Sequence, residues 1–270
     1  SAGDQGEAVA NVELEVVEGS VGVITLNRPE RLNALSFPMV GEIHAALDEA
    51  AGNADLKVLV LAGAGKGFCS GLDLRDWGEV PTPGTHPHWN ARTTGQSFIA
   101  DLTTHLRDTP QIVVAAVKGV AFGGGLSLAC AADVRIASSS ARFCSAFIRT
   151  GLSGTDIGIS YLLPRLVGAS RAWDLIISGR EIDGVEAERI GLVSQVVDDD
   201  DPLEAALAYA RGVASYTRTG LALTKEALWH NLDAQSLDAA VALENRNQLL
   251  ASAAPDVKEY MAGYAKRTTR

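Results

Sequence analysis

The chain has 270 residues, of which 47% are hydrophobic and 21% are charged, as in a soluble globular protein with a sizeable core. Its net charge of -10 disfavours nucleic-acid binding, because proteins that bind nucleic acids usually present a basic face. The sequence holds no apolar run that approaches the about 18 residues of a membrane span, so no membrane partner is expected.

Strands and helices alternate along the first two thirds of the chain. Residues 1–10 are polar and small without a signal-peptide pattern, which predicts a disordered N-terminus and a cytoplasmic protein. The periodicity predicts strands at 12–17, 21–26, 57–61, 112–117, 134–137, 142–144 and 192–197, and helices at 37–51 (with Ser36 as N-cap), 96–107, 125–132, 203–215, 220–231, 236–251 and 257–266. The expected organisation is an α/β core over residues 11–200 and a helical region over 201–270.

The segment over residues 78–95 predicts a mobile loop. It holds three prolines and two histidines, His86 and His88. A metal site at these histidines is the alternative, and we favour the loop, so no metal is expected. The three cysteines lack metal-ligand spacing and predict reduced thiols. Cys69 has no identifiable partner histidine, so we favour a structural thiol over a nucleophile.

Two glycine-containing turns, at residues 67–74 and 118–126, are the most informative features for function. Each follows an apolar, β-branched run, and each predicts the start of a helix. A strand, a tight glycine turn and a helix start leave backbone N–H groups unpaired and pointing outward. Two such turns side by side would aim two N–H donors at one developing oxyanion, which is the electrostatic basis of much acyl chemistry.

The sequence resembles the crotonase (enoyl-CoA hydratase/isomerase) superfamily over nearly its whole length. Four groups of residues carry the resemblance: Asn27-Arg28-Pro29 with Asn33-Ala34-Leu35, Phe68-Cys69-Ser70-Gly71-Leu72-Asp73, Gly123-Gly124-Gly125 with Ala131-Ala132-Asp133, and Leu223-Thr224-Lys225-Glu226-Ala227-Leu228. The resemblance implies a crotonase-like spiral of ββα turns followed by a helical C-terminal trimerisation region. It also implies a homotrimer, or a hexamer built as a dimer of trimers.

The resemblance further implies the ligand and its contacts. It places the two oxyanion-hole donors at the backbone N–H groups of Leu72 and Gly124. The implied substrate is an acyl-CoA thioester, with no cofactor beyond the coenzyme A that the substrate carries. Residues implied to bind coenzyme A are Arg31, Ser70, Asp73, Leu74 and Arg267. For Asp73 we favour a helix N-cap over contact with substrate, and for Arg31 and Arg267 a solvated surface position is an equal alternative.

Both glutamates that the superfamily's hydratases use are absent. By resemblance the first belongs at Ser127, two residues after the triple glycine, and the second at Phe147. Hydration needs a base that activates water and a proton for the α-carbon, and general acid–base groups each contribute about 10²–10⁴-fold. Neither serine nor phenylalanine supplies such a group at neutral pH, so we expect weak hydration at best.

Asp156 is the carboxylate best placed to compensate. It lies in Gly154-Thr155-Asp156-Ile157-Gly158, shortly before Leu163-Pro164. This is similar to the context of the catalytic aspartate in dienoyl-CoA isomerases, although one residue further from the preceding glycine. Dihydroxynaphthoyl-CoA synthases also place an aspartate in this region. The competing interpretation is a helix N-cap for the segment that starts at residue 157.

These observations predict an acyl-CoA-binding enzyme that polarises a thioester carbonyl. The resemblance implies an enoyl-CoA hydratase/isomerase, and the residues favour isomerase-like or enolate chemistry through Asp156 over efficient hydration. The alternative is a non-catalytic acyl-CoA-binding protein that keeps the fold without the acids.

Overall fold

The computed structural model describes residues 10–18 and 20–268, without the side chains of residues 18, 265, 267 and 268. The disorder predicted for residues 1–10 therefore falls, except for residue 10, outside the described part of the chain. The described strands are β1 (Val12–Glu18), β2 (Val21–Leu26), β3 (Val58–Gly63), β4 (Ile112–Val117), β5 (Val120–Phe122), β6 (Val134–Ser138), β7 (Arg142–Cys144), β8 (Glu181–Asp183) and β9 (Gln195–Val197).

The described α-helices are α1 (Phe37–Gly52), α2 (Gly95–Asp108), α3 (Gly124–Ala131), α4 (Ile159–Val167), α5 (Ala169–Ser178), α6 (Gly184–Arg189), α7 (Leu203–Ala214), α8 (Arg218–Asn231), α9 (Leu237–Ala253) and α10 (Pro255–Thr268). Two short 3-10 helices cover Pro29–Arg31 and Ala146–Thr150. None of the helices within the described residues is long and apolar enough to cross a lipid bilayer.

Six strands form one sheet in the order β1-β2-β3-β4-β6-β9. β1 and β2 pair antiparallel as the predicted hairpin, whereas the other four neighbouring pairs are parallel. β3 is buried at every position and β4 at all but its first. Both strands are therefore continuous apolar runs, because a parallel sheet is covered on both faces.

A second, smaller layer of β structure brings the two glycine turns together. It contains β5, β7 and β8 and continues through isolated bridges that pair Leu35 with Leu72 and Cys69 with Ala121. Successive repeats of the chain give one strand to the large sheet, one short strand to the second layer and then a helix, as in β4-β5-α3. This repeat is the ββα spiral, and it places the first turn directly beside β5 and the second turn.

The apolar core lies on both faces of the large sheet, because alternate residues of a strand point to opposite faces. Leu59 and Leu61 of β3 belong to a cluster with α1, α2 and α3, whereas Val58 and Val60 pack in a second cluster with α7. The boundary predicted between residues 200 and 201 stays a prediction, but α7, which follows it, packs on the core sheet.

A buried ion pair fastens the C-terminal helices to the core. Lys225 Nζ of α8 lies 2.9 Å from Asp133 Oδ2 and donates to the carbonyl oxygens of Leu106 and Gln111. The Asp133 carboxylate also accepts a backbone N–H from β4 and the indole N–H of Trp229. Burial lowers the pKa of Lys225, and the charge of Asp133 opposes that shift. The group that ends at Asp133 and the group that contains Lys225, both of which carry the resemblance, are thus joined by a structural ion pair.

The first glycine turn does not lead into a helix, so that prediction is wrong. Residues 74–94 contain turns and irregular backbone, and α2 begins only at Gly95, with Thr94 as its N-cap. Three prolines between residues 81 and 87 remove backbone donors and fix φ, which disfavours a helix there. The segment nevertheless packs onto the core, since Trp89 is only 7% exposed.

Candidate active site

The first glycine turn is held in place by a buried asparagine. Asn33, fully buried and with φ of 55°, accepts the backbone N–H of Arg28 through Oδ1. Its Nδ2 donates to the carbonyl oxygens of Ala64 and Gly67. Asparagine tolerates this left-handed conformation better than most residues, and its amide replaces missing backbone partners. The group within residues 27–35 that carries the resemblance therefore holds the first glycine turn in position.

The two glycine turns meet where the oxyanion hole was predicted. Gly71 has φ of 96°, and a Cβ there would lie 2.8 Å from the carbonyl oxygen of Phe122 and 3.4 Å from the backbone nitrogen of Gly124. Gly124 is the first residue of α3. Within the described residues, the backbone N–H groups of Leu72 and Gly124 have no hydrogen-bond acceptor. Two unpaired donors on adjoining turns fit the stabilisation of an oxyanion.

Gly125 is required by the closeness of these turns. A Cβ at this position would lie 2.1 Å from the carbonyl oxygen of Cys69, a distance that no side chain can occupy. The Cys69 side chain is itself completely buried, and burial raises the pKa of its thiol to about 12. The thiol is therefore protonated at neutral pH, which supports the structural role and argues against a nucleophile.

Asp73 does not cap a helix, and the favoured N-cap interpretation is wrong because no helix follows it. Its side chain is 2% exposed and accepts the guanidinium groups of Arg28 and Arg31. It also accepts the backbone N–H groups of Arg75 and Asp76, so it caps a turn. The hydrogen bond from Arg31 is the main cause that holds the pKa of Asp73 well below its usual range. Asp73 thus stabilises the backbone where the chain leaves the first glycine turn.

The other positions predicted to bind coenzyme A lie in different surroundings. Ser70 is half-buried and its hydroxyl donates to the carbonyl oxygen of Arg31, whereas Leu74 is 61% exposed. Arg267 falls within α10, but its side chain lies outside what the structure describes. Ser70 and Leu74 therefore lie within the first glycine turn, and Arg31 contacts it through Ser70 and Asp73.

Ser127 and Phe147, the positions implied for glutamates, are both buried. Ser127 is 0% exposed in the first turn of α3, and its hydroxyl lacks a hydrogen-bond partner among the described residues. Phe147 is 8% exposed, and its ring lies 3.7 Å from where a Cβ on Gly123 would be. Neither side chain can act as a general acid or base at neutral pH, so these two positions do not replace the glutamates.

Asp156 lies on a segment that contacts the predicted oxyanion hole. Its carboxylate is half-buried and accepts the backbone N–H of Ile157 at 2.7 Å. The Ile157 side chain packs against Gly124, with Cδ1 3.1 Å from where a Cβ would stand. The helix after it starts at Ile159 with Gly158 as N-cap and no capping side chain. The geometry therefore does not support the competing interpretation of Asp156 as a helix cap.

Two residues near the site were not identified from the sequence. Gln96, in the first turn of α2, donates its side-chain amide to Asp156 Oδ1. Arg28 is buried and bridges Asp73 to the carbonyl oxygen of Ala34. Gln96 carries no sequence signal because sixty residues separate it from Asp156. Arg28 lies within a group that carries the resemblance, but its charge alone does not reveal a buried partner.

The family described as enoyl-CoA hydratase/isomerase matches residues 17–269. The chain belongs to this family. It is 44% identical over 243 residues to the probable enoyl-CoA hydratase echA12 of Mycobacterium bovis, covering 89% of this chain and 85% of that protein. It is 37% identical over 256 residues to the 1,2-epoxyphenylacetyl-CoA isomerase of Escherichia coli, covering 94% and 96%. A probable enoyl-CoA hydratase/isomerase structure from Mycobacterium abscessus superposes with a TM-score of 0.83 at 37% identity, covering 96% of each chain.

Membership of the enoyl-CoA hydratase/isomerase family provides substrates with which the predicted oxyanion hole can be tested. Replacing Gly124 with proline is expected to lower kcat by about 10²–10³-fold, because it removes one oxyanion donor. Proline suits the first position of a helix, so α3 is expected to remain folded. Gly124→Ala is the matched control, since it adds a Cβ against Leu35 and Ile157 but keeps the N–H. Steady-state turnover of an acyl-CoA substrate measures the difference, and equal turnover by both variants would refute the assignment.

Proposed function

We propose that this chain is an enoyl-CoA isomerase in which Asp156 moves the proton and the N–H groups of Leu72 and Gly124 hold the oxyanion. The observation that carries the proposal is the contact of the Asp156 segment with Gly124, through Ile157. Relatives named as hydratase and as isomerase support this range of chemistry. No cofactor beyond the coenzyme A of the substrate takes part in the proposed reaction.

The proposed reaction shifts a double bond from C3–C4 to C2–C3 of the acyl chain. The Asp156 carboxylate takes a proton from C2, and the electron pair of the broken C–H bond forms a dienolate. Negative charge then develops on the thioester oxygen, where the two backbone N–H groups stabilise it. Asp156 returns the same proton to C4, so the charge, the atoms and the starting state of the enzyme are restored.

Hydration asks for more than one carboxylate. A water molecule must be oriented and deprotonated while the α-carbon receives a proton. The positions that the resemblance implies for the hydratase glutamates hold a buried hydroxyl, at Ser127, and a buried aromatic ring, at Phe147. We therefore propose that hydration is slow and that isomerisation is the main activity.

Arg31 supports a binding site for the phosphates of coenzyme A. Its Nε and Nη2 are held by Asp73, which fixes the direction of the guanidinium and leaves Nη1 for a ligand. Its side chain is 31% exposed, so an anion can reach it. Charge-assisted hydrogen bonds to phosphate are among the strong ones in proteins. Ser70, Leu74 and Arg267 stay proposed contacts on the same ligand.

We also propose that the chain assembles as a trimer or as a hexamer of two trimers. α9 buries only Asn247, and several large apolar side chains of α8, of its C-cap and of α9 are exposed in the single chain: Leu228, Leu232, Leu237, Leu249 and Leu250. Such a patch is typical of a protein interface. The three cysteines are all free thiols, which suits the cytoplasmic location that we propose.

Light scattering is expected to give a mass of three or six times the 28.3 kDa of one chain. Leu249→Glu is expected to shift the protein to monomer, because it places a charge within the exposed apolar face. Val185→Glu, at an exposed position of the partly buried α6, is the matched control and should leave the mass unchanged. A monomeric wild-type protein would contradict the proposed assembly.

The activity is tested by comparing two substrates on the same enzyme. Purified protein is incubated with a 3-enoyl-CoA and with crotonyl-CoA, and the conjugated 2-enoyl thioester is followed by its absorbance. We expect isomerisation of the first to exceed hydration of the second. Hydration near ~10³ s⁻¹, the upper end of typical turnover, would refute the proposal. Tight binding without turnover of either substrate would instead establish the alternative, a non-catalytic acyl-CoA-binding protein.

A further inference from the structure

Four of the five histidines of the chain meet between α1 and α2. His44 lies on α1, His86 and His88 lie on the loop that precedes α2, and His105 lies on α2. The rings of His44 and His88 stack at 4.5 Å between centroids, and the ring of His105 lies 4.8 Å from that of His88. This histidine cluster is separate from the proposed active site.

The rings of His44 and His105 face each other through their Nδ1 atoms, which lie 2.9 Å apart. His44 Nε2 lies 3.1 Å from the carbonyl oxygen of Phe98. A carbonyl oxygen only accepts hydrogen bonds, so Nε2 carries the proton of a neutral His44 ring and Nδ1 holds its lone pair. Without an ion, His105 donates its Nδ1 proton to His44 Nδ1. With that proton on Nε2, which lies 3.3 Å from Asp48 Oδ1, His105 instead offers a second Nδ1 lone pair to a metal ion.

The rest of the cluster supplies what a metal site requires. One ring nitrogen from each of His44, His88 and His105 lies within 4.8 Å of the others. Asp48 contacts both His88, at 2.8 Å, and His105. A carboxylate and a backbone carbonyl that accept from the far nitrogens of ligating histidines are the usual outer partners of a zinc site. His86 is not a ligand, because its two ring nitrogens already bond backbone groups.

The geometry points to a binding site for one divalent transition-metal ion of the Zn²⁺ type, held by His44 Nδ1, His105 Nδ1 and a ring nitrogen of His88. Imidazole nitrogens bind zinc at about 2.0–2.1 Å, so two tetrahedral ligands are about 3.3 Å apart. The 2.9 Å between the Nδ1 atoms needs only a small opening, and His88 closes on the ion from its loop. Asp48 is half-exposed and acts as an outer partner of the histidines, so water supplies the fourth ligand.

An ion at this position would cross-link three parts of the chain. His44 belongs to α1, His88 to the loop over residues 74–94, and His105 to α2. The same helix α2 carries Gln96, the partner of Asp156. The ion takes no part in the proposed isomerisation. Its expected effect is on the stability of the loop and helices that border the active site.

Metal binding is tested with the full chain, free of any affinity-tag histidines and stripped with a chelator. Co²⁺ and Zn²⁺ are titrated separately, by visible absorption for the first and by competition with a chromophoric chelator for the second. We expect one ion per chain, a tetrahedral cobalt spectrum and a raised melting temperature. His88→Gln and His105→Gln should each weaken binding by more than the about 10- to 100-fold that loss of an outer partner costs. Asp48→Asn should weaken it by about that 10- to 100-fold.

His230→Gln is the matched control, because His230 is the one histidine outside the cluster and its Nδ1 contacts a backbone carbonyl of α8. Its affinity and spectrum should equal those of the wild type. Binding that survives both His88→Gln and His105→Gln would overturn the site, and so would an absence of binding to folded wild-type protein. Both variants keep a polar side chain where the histidine is partly exposed, to 31% at His88 and 16% at His105, and circular dichroism establishes that each is folded before titration.

Discussion

Replacing Asp156 with asparagine is expected to lower kcat for isomerisation by about 10²–10⁴-fold, with unchanged affinity for acyl-CoA. The substitution removes the base but keeps the shape of the side chain. An asparagine oxygen still accepts the backbone N–H of Ile157 and the amide of Gln96, so the segment over Gly124 should stay in place. Steady-state rates with a 3-enoyl-CoA give kcat, and equilibrium binding of a saturated acyl-CoA gives the affinity.

Asp174→Asn is the control for this measurement. Asp174 is an exposed carboxylate on α5 that pairs with Arg180, and its loss should leave kcat unchanged. Isomerisation that persists in Asp156→Asn would show that Asp156 is not the base and only stabilises the backbone turn at Ile157. A fall in affinity together with kcat would show instead that the variant disturbs the binding site. Only a fall in kcat alone supports proton transfer by this carboxylate.

A gain of function tests the same argument from the other side. Introducing both Ser127→Glu and Phe147→Glu restores carboxylates at the positions that the resemblance implies for hydratases. Ser127 and Phe147 are buried, so each introduced carboxylate lowers the stability of the fold unless it faces substrate and water in the active site. A folded double variant that hydrates crotonyl-CoA faster than the wild type would support the explanation from missing acids.

The elements with strong local patterns were predictable from the sequence. The hairpin of β1 and β2 is confirmed, and α1 begins at Phe37 with Ser36 accepting the backbone N–H of Met39, as predicted. The strands before the two glycine turns were also predictable from their apolar runs, whereas the meeting of the turns was implied only by the resemblance and depends on the pairing of β3 with β4. β8 was not predicted, since a strand of three residues carries too little periodicity.

Contacts between distant residues were beyond the reach of the sequence. His44 and His105 are 61 residues apart and occupy two different helices, so nothing in the local pattern joins them to His88. Asp73 resembled a helix cap because capping is judged from the next few residues, whereas its partners Arg28 and Arg31 lie more than 40 residues earlier. The sequence showed which side chains could bind a metal or form an ion pair, but their partners were determined by the fold.

Lys225 shows the same limit in a charged residue of an amphipathic helix. Lysine is almost never fully buried unless it is paired, yet the Lys225 side chain is 3% exposed and its ammonium has three acceptors. Lys225→Met is expected to lower the free energy of unfolding by about 3–5 kcal/mol, because it leaves the Asp133 carboxylate buried without its cation. Equilibrium denaturation with urea, at a fixed protein concentration, measures the change.

Lys118→Met separates burial from the loss of a lysine charge. Lys118 pairs with Asp201 at 2.6 Å, which is shorter than the Lys225 pair, but Asp201 is half-exposed and water replaces the lost partner. The expected cost of Lys118→Met is therefore only about 0–1 kcal/mol. Similar losses from both variants would mean that Asp133 is relieved by its bonds from β4 and Trp229 alone. A large difference would establish that the cation buried between α8, α2 and β4 is what holds the C-terminal helices on the core.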